Sequence, residues 1–497
     1  MIEQIRKKFL FIPLILVEVY LVFTLLLYQF GPLDWQTENE PMFWCFILFY
    51  HLAFIAGYVF SIKRINLNKP QWNTRISVRG IESWGIWLMI AICIVCACIE
   101  YRNITFADSY IPYELPKNFI NGLMNPAEQY YNKFLLSQSY SPSKIITIVS
   151  ALFSFVYMSL IPFLIVKWKK INLLQKICFF ALIFFKVAIY VSVGTNKGIF
   201  DILFSFAAIL AVLFLLNLYH GNEENIDKPT LFKVAMLVGI LVVFSFGYFT
   251  MNISSRVASP VEYAISMTQK EEPKEEVKEP QQEIQEEIQE GSDSQEENDK
   301  NEVGEELPAD TTQDEEIKED IKEEENITKK PDGFVKKMFY SVTNYLTQGY
   351  YGMSLSIDEE FTSTYGIGNS QFLSSNFKSI FGIDVQNRTY QHKITEQWHE
   401  SQQWHSFYSY IANDISFYGV IVFMLVLGIY YGCICKDVIL NGSLVGKMIL
   451  PLFVIMFMYM PANNQIFTAM ATCTAFIELT FLWVVSKINW KKGKKHE

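Results

Sequence analysis

Apolar runs long enough to cross a lipid bilayer recur along the chain and limit its possible folds more than any other feature. A helix needs about 20 apolar residues to span a hydrocarbon core of roughly 30 Å. Hydrophobic residues make up 51% of the sequence and charged residues only 19%, which argues against a set of soluble domains. The sequence therefore predicts an all-α, multi-pass integral membrane protein with about ten transmembrane helices. The predicted spans are about 9–29, 42–62, 82–99, 144–166, 173–192, 199–218, 231–250, 416–435, 447–461 and 464–486.

Lysine and arginine in the connections predict how these spans are oriented. Basic residues are concentrated at the N-terminus, in the 62–81 and 167–172 loops and in the C-terminal tail, whereas the 30–41 loop has none. Basic loops stay on the cytoplasmic face. Ten spans then place both termini in the cytoplasm and two long loops, 100–143 and 251–415, on the opposite face.

This topology divides the chain into three parts. Residues 1–250 hold the first seven spans and the 100–143 loop, residues 251–415 form a large extracytoplasmic loop, and residues 416–497 hold the last three spans and a basic tail. Within the large loop, an acidic insert at 269–330 has too few apolar residues to form a core. From residue 270 to residue 330 it carries 25 acidic residues against 8 lysines. We expect the insert to be a solvated, disordered tether.

Motifs of soluble chemistry are missing from the sequence. It has no Walker loop, dinucleotide fingerprint, zinc-protease motif or calcium loop, which argues against an ATP-driven pump or a kinase. All eight cysteines lie in or at the ends of apolar runs, so we expect no disulfides. Neither a cofactor nor a metal is expected.

Cations predicted on the outer face are the first candidate site residues. Lys197 lies in "VSVGTNKGIFD", in a short turn between two spans, and Arg256 follows the seventh span. Such side chains can pair with phosphate groups at headgroup depth, although cations near helix ends often only extend towards lipid headgroups. Gly194 and Gly198 flank the turn and would allow a ligand to approach the backbone closely.

Polar residues before the eighth span are the second group of candidates. Three of the six histidines, His392, His399 and His405, fall within fourteen residues, and Asp414 lies at the start of the span. A histidine there is either a general base or a buried, hydrogen-bonded side chain. Asp414 is either a base or a helix N-cap. Glu18 and Glu478, inside two spans, are expected to be interhelical hydrogen-bond partners.

Three local features resemble the Wzy-type polymerases of bacterial O-antigen and capsular polysaccharide. The outward turn "VGTNKGIFD" is similar to a Gly/Arg-rich turn of that family, with Lys197 in place of arginine. Arg256 follows the next outward helix in "NISSRVASPVEY". The late segment "SFYSYIANDISFYGVIVFMLVLGIYYG" resembles the polar patch and glycine-ended helix of the family.

The resemblance implies a GT-C-like glycosyltransferase bundle in the bacterial cytoplasmic membrane. Its activity would be to polymerise undecaprenyl-diphosphate-linked oligosaccharide repeat units at the outer face into a surface polysaccharide, as in capsule or lipopolysaccharide biosynthesis. Membrane lipids, a chain-length regulator and a flippase are the expected partners, and no nucleic acid is. An O-antigen ligase or other lipid-carrier transferase, and a polysaccharide flippase or transporter, are the alternatives.

The shared outward side of the candidate residues suggests roles for them in such a polymerase. Lys197 and Arg256 would hold diphosphate, with Arg388 and His392 in support. His399 and Trp404 would contact the substrate, since aromatic rings stack on sugars. Asp414 or His405 would orient or deprotonate the acceptor.

Overall fold

The structure is a computed structural model, and it describes residues 8–67, 79–139, 143–220, 228–255, 333–400 and 403–488. All regular secondary structure in these ranges is helical. The chain divides into one unit of residues Met1–Ala264 and Met338–Glu497 and a second unit of Ile265–Lys337, most of which lies outside the described residues. The predicted acidic insert and Arg256 also lie outside them.

Seventeen α-helices and one 3-10 turn, Gln386–Arg388, are described. The helices are α1 Ile12–Phe30, α2 Glu40–Arg64, α3 Arg79–Thr105, α4 Leu115–Met124, α5 Pro126–Ser139, α6 Lys144–Leu152, α7 Ser154–Val166, α8 Leu173–Ser192, α9 Lys197–His220, α10 Lys228–Ser255, α11 Phe334–Ser356, α12 Gln371–Phe381, α13 Tyr390–Lys393, α14 Phe407–Asn441, α15 Leu444–Tyr459, α16 Gln465–Thr468 and α17 Met470–Lys487.

Within the described ranges, nine helical spans are long and apolar enough to cross a membrane, as expected of a multi-pass membrane protein. They are Ile12–Phe30, Glu40–Arg64, Ser83–Thr105, Lys144–Val166, Leu173–Ser192, Lys197–Tyr219, Ala235–Asn252, Phe407–Asn441 and Met470–Lys487. The predicted span at 447–461 corresponds to α15, which has only 16 residues. At 1.5 Å per residue α15 is about 24 Å long, less than the hydrocarbon thickness.

Helix α15 nevertheless connects the two ends of the bundle. At its start, Ser443 N–H donates to the carbonyl of Asp437 (3.4 Å) near the end of α14. Just beyond its end, the carbonyl of Met460 accepts a hydrogen bond from Phe407 N–H (3.0 Å) at the start of α14. Helix α15 therefore runs antiparallel to α14. Most of its side chains are buried in protein, so its length need not match the bilayer.

The two ends of the bundle differ in character. At one end, Lys436 Nζ donates to the carbonyls of Ile62 and Ile65 (2.8 and 2.7 Å), and Lys487 contacts Asp437. We call this the basic end, because the lysine- and arginine-containing segments 63–64 and 167–170 lie there. The other end, the loop end, holds the longer connections between spans, including helices α4, α5, α12 and α13.

The most extensive contact between two described helices is that of α2 and α14. Small residues allow the two backbones to approach: a Cβ placed on Gly428 would lie 2.2 Å from the carbonyl oxygen of Phe54, and one on Gly57 would lie 2.1 Å from that of Leu425. Such close packing through small residues is typical of membrane helices. The Tyr50 hydroxyl donates to the carbonyl of Phe417 (2.8 Å), which joins the two helices near the loop end.

Several predicted spans have different boundaries in the structure; the predicted 464–486 span, for example, is α16 and α17, which meet at Ala469. The predicted 416–435 span is the second part of α14, which begins at Phe407 and bends at Ser416, where φ is 63° and ψ is 166°. The predicted 144–166 span is two helices that meet at Phe153. A break of this kind leaves backbone donors without intrahelical partners.

Two carboxylates inside the spans make contacts between helices, and one of them satisfies a backbone donor at the Phe153 break. Phe155 N–H, in the first turn of α7, donates to Glu478 of α17 (3.1 Å). Glu18 of α1 pairs with His51 Nδ1 of α2 at 2.6 Å. Both carboxylates thus make the interhelical hydrogen bonds that their positions in the sequence predicted.

Candidate functional site

A cavity of about 590 Å³ lies at the loop end of the bundle. It is surrounded by helices α3, α6, α7, α8, α9 and α12 and by the start of α17. Its charged and phenolic lining side chains are Glu100, Lys144, Tyr157, Lys186, Tyr190, Lys197 and Asp201. Ionisable residues inside a membrane bundle are rare and commonly functional, so this cavity is the candidate site.

Lys197 and Asp201 form an ion pair on the first turn of α9. Lys197 Nζ lies 2.9 Å from Asp201 Oδ2. The Asp201 side chain is 8% exposed and that of Lys197 is 28% exposed, so the carboxylate is the more enclosed partner. Asp201 Oδ1 is buried and has no hydrogen-bond partner in the described part of the chain. The pair therefore leaves one acceptor oxygen unused.

Glu100, near the end of α3, joins three helices at the cavity wall. Its Oε1 accepts a hydrogen bond from the Tyr190 hydroxyl (2.7 Å), and its Oε2 accepts one from the Tyr157 hydroxyl. Lys186 Nζ of α8 lies 3.8 Å from Oε1 and 4.4 Å from the centre of the Tyr157 ring. Both carboxylate oxygens are thus engaged, which distinguishes Glu100 from Asp201.

The turn that carries Lys197 is held by its neighbours. Gly194 has a φ of 61°, and a Cβ there would lie 2.0 Å from the carbonyl oxygen of Pro126. Asn252 Nδ2 of α10 donates to the carbonyl of Gly194 (2.6 Å). A Cβ on Gly198 would lie 2.1 Å from the Tyr190 ring. Both glycines are therefore required because protein atoms lie where a Cβ would be. The sequence had suggested that they allow a ligand to approach.

Helix α12 covers part of the cavity. Its side chains Phe372, Ser375, Asn376 and Ser379 contribute to the lining. Lys144 Nζ, from α6, donates to the carbonyl of Ser379 (3.4 Å), so the two helices meet at the cavity. Ser370 caps α12 by accepting from Leu373 N–H (3.2 Å).

Asp414 anchors the loop that leads into α12. Its carboxylate accepts hydrogen bonds from the backbone N–H groups of Gly366 (2.9 Å), Gly368 (3.2 Å) and Asn369 (3.2 Å). The Asn369 side-chain amide (2.5 Å) and the Thr364 hydroxyl also donate to it. The structure thus gives Asp414 a third role, distinct from the predicted base and N-cap: it fixes the position of α12 over the cavity.

His405 is completely buried just before α14. Neither ring nitrogen has a hydrogen-bond partner among the described residues. Burial lowers the pKa of His405 to about 3. A neutral imidazole with this pKa is a weak base near pH 7, and His405 does not line the cavity.

The other predicted residues lie in the 386–404 segment at the loop end, and none of them lines the cavity. The Arg388 guanidinium stacks 5.3 Å from the centre of the Tyr365 ring. His392 Nδ1 is 3.4 Å from Glu400, and the backbone N–H of His399 donates to Gln403 (2.6 Å). The Trp404 ring packs 4.2 Å from that of Tyr345. Of the predicted site residues that the structure describes, only Lys197 lines the cavity.

Sequence reasoning missed the other charged residues of the cavity that Lys197 lines. The predicted third span ended at residue 99, one residue before Glu100. Lys186 and Asp201 lay inside predicted spans but were not selected. The sequence contained a signal for Lys186 and Asp201 as candidate site residues, because each is an ionisable residue within an apolar run.

Comparison of the chain with models of known protein families, with curated proteins and with solved structures finds no match. The chemistry of the cavity itself is the guide to function. Three lysines against two carboxylates leave an excess of positive charge, suited to an anion. The unused oxygen of Asp201 is a proton or hydrogen-bond acceptor. In the described residues, no group of three or more His, Cys, Asp or Glu side chains is arranged as metal ligands.

Proposed function

We propose that the chain is a lipid-linked glycosyltransferase that polymerises undecaprenyl-diphosphate-linked oligosaccharide repeat units at the outer face of the bacterial cytoplasmic membrane. The observation that carries the proposal is the grouping of Lys144, Lys186 and Lys197 around one cavity at the loop end of the bundle. Lysine is a common ligand of phosphate in proteins. No single sequence motif suggested this grouping.

The depth of the cavity supports a substrate that is anchored in the membrane. Glu100 lies five residues before the end of α3, Lys186 six residues before the end of α8, and Asp201 four residues after the start of α9. At 1.5 Å per residue, these side chains originate within about 10 Å of the helix ends. A diphosphate on a lipid carrier lies at a similar depth.

The proposed reaction joins two lipid-linked saccharides. A hydroxyl at the nonreducing end of one unit attacks the anomeric carbon of the growing chain, and the bond from that carbon to the diphosphate oxygen breaks. Undecaprenyl diphosphate leaves with the bonding electron pair. Lys197, with Lys186 and Lys144, stabilises the charge that develops on it. Arg256, outside the described residues, stays a predicted additional diphosphate ligand.

Two lysines on α8 provide a matched test. Lys186 lines the cavity, whereas Lys176 lies near the basic end, 5.1 Å from the centre of the Trp168 ring. Loss of one positioned cation should cost about 100-fold in rate. Lys186→Ala should therefore abolish long surface polysaccharide, whereas Lys176→Ala should leave its length unchanged. Equal polymer from both variants would contradict the site.

The product of gene deletion separates the alternatives. Loss of a polymerase should leave surface lipid capped with single repeat units. Loss of a ligase should leave polymer on the lipid carrier, and loss of a flippase should trap lipid-linked units on the cytoplasmic side. Polymer formation by the purified protein in detergent, without any gradient, would argue against transport as the primary activity. A deletion strain that keeps polymer on the lipid carrier, or traps lipid-linked units on the cytoplasmic side, would overturn the proposal.

A further inference from the structure

We propose that Asp201 accepts the proton of the attacking hydroxyl and that Lys197 changes partner, from Asp201 to the diphosphate, when substrate binds. This inference rests on the proposed transferase function and assigns a catalytic residue to it. Asp201 was not among the residues that the sequence singled out.

The two carboxylates of the cavity differ in their capacity to react. Glu100 has both oxygens engaged by tyrosine hydroxyls. Asp201 has one oxygen in its ion pair with Lys197 and one buried oxygen without a partner in the described ranges. A buried polar atom without a partner costs free energy, and a catalytic role is one explanation for its retention. The unused oxygen makes Asp201 the available proton acceptor.

The geometry of the ion pair permits an exchange of partners. Lys197 is the more exposed member, and its flexible side chain begins at the first residue of α9. A diphosphate carries more negative charge than one carboxylate and offers more acceptor oxygens, so it competes for the ammonium group. When Lys197 turns to the diphosphate, both Asp201 oxygens become free for the acceptor hydroxyl.

The step forms one bond, breaks one bond and transfers one proton. The hydroxyl oxygen forms its bond to the anomeric carbon while its proton moves to Asp201 Oδ1. The bond between the anomeric carbon and the diphosphate oxygen breaks, and its electron pair stays with the departing undecaprenyl diphosphate beside Lys197. Asp201 afterwards returns the proton to water at the cavity mouth.

Two readouts on full-length protein in membranes test this assignment. The first is binding of undecaprenyl diphosphate, and the second is polymer formation from lipid-linked units extracted from the deletion strain. Asp201→Asn should slow polymer formation by about 100-fold or more. It should bind undecaprenyl diphosphate at least as tightly as the wild type, because Lys197 loses its competitor. Asp201→Glu, which keeps the carboxylate, should recover measurable polymer formation.

The control is Glu478→Gln, which alters an intramembrane carboxylate whose described contact is the backbone N–H of Phe155. It should keep both binding and polymer formation near wild-type levels. Asp201→Asn with near-normal polymer formation would overturn the role of Asp201 and leave the transferase proposal standing. Weaker binding together with lost polymer would show that Asp201 is structural and overturn the inference. A wild-type protein that neither binds the lipid nor forms polymer would overturn the proposed function itself.

Discussion

The two ends of the bundle each hold a Lys–Asp pair with a buried carboxylate, and the pairs differ in how completely that carboxylate is satisfied. At the basic end, Asp437 is completely buried and accepts from Lys487 Nζ (2.5 Å), Trp483 Nε1 (2.9 Å) and Asn441 Nδ2 (2.8 Å). At the loop end, Asp201 accepts from Lys197 alone among described side chains and leaves one oxygen unused beside a cavity. The residue types are the same, but the surroundings differ.

This difference indicates what each pair does. A buried ion pair whose oxygens are all engaged has no capacity left for a ligand and holds helices together. The Asp437–Lys487 pair joins α14 to α17 at the basic end. A pair with a free acceptor and a partly exposed lysine can exchange one partner for a substrate. Substitutions at Lys197 and Asp437 test this contrast, and substitutions at Asp414 and His405 test two other features of the loop end; they follow in order of decreasing expected effect.

The largest effect is expected at Lys197. Lys197→Gln removes the cation beside the departing diphosphate and should lower polymer formation at least about 100-fold. Lys197→Arg keeps the charge and should retain function. The matched variant at the other end, Lys487→Gln, should keep normal polymer length per folded molecule. Surface polysaccharide length on gels provides the measurement. Long polymer in Lys197→Gln cells would show that the Lys197–Asp201 pair has no functional role distinct from that of the Lys487–Asp437 pair.

Asp437 should show the opposite behaviour, with a large effect on stability. Asp437→Ala leaves Lys487, whose side chain is 13% exposed, without the Asp437 carboxylate, which should lower the free energy of unfolding by about 3 kcal/mol. Thermal unfolding of purified protein in detergent measures this loss. Asp201→Asn should unfold near the wild-type temperature. A similar loss of stability in both variants would mean that the two pairs share one structural role.

Asp414 should have an intermediate effect, through the position of α12. Asp414→Ala removes the acceptor of several hydrogen bonds and should loosen the 363–370 loop, which limited proteolysis can detect. We expect the KM for lipid-linked substrate to rise about tenfold while kcat is kept, since only the cavity cover moves. If instead kcat fell about 100-fold at unchanged KM, Asp414 would act as the base that the sequence suggested.

The smallest effect concerns His405 and pH. Its pKa is lowered to about 3 in the folded protein, so below pH 6.5 the unfolded chain binds a proton that the folded chain does not. Stability should therefore fall as pH drops from 6.5 towards 3, by roughly 1 kcal/mol at pH 5.5 from this residue. His405→Leu should reduce the loss of stability between pH 7.5 and pH 5.5. An unchanged loss would show that His405 does not cause it.

Apolar length and composition alone were sufficient for the coarse architecture. All ten predicted spans fall on helices of the structure, because crossing a bilayer requires a local run of apolar residues. Lys197 was also identified by a local property, as a cation in a short turn between two spans. Boundaries that depend on distant contacts were missed: α14 begins at Phe407, nine residues before the predicted start, and the fourth span breaks at Phe153.

Only the tertiary structure decided which polar residues share a site. Glu100 and Asp201 are 101 positions apart, and Asp414 binds a loop that precedes it by 45 to 50 residues. The packing of α3, α7, α8 and α9 brings Glu100, Lys186 and Asp201 to one cavity, and it leaves His405 buried away from the cavity lining. Span positions follow from the solvation of single segments, whereas the partner of a buried charge follows from which helices pack together. That packing depends on interactions between segments far apart along the chain.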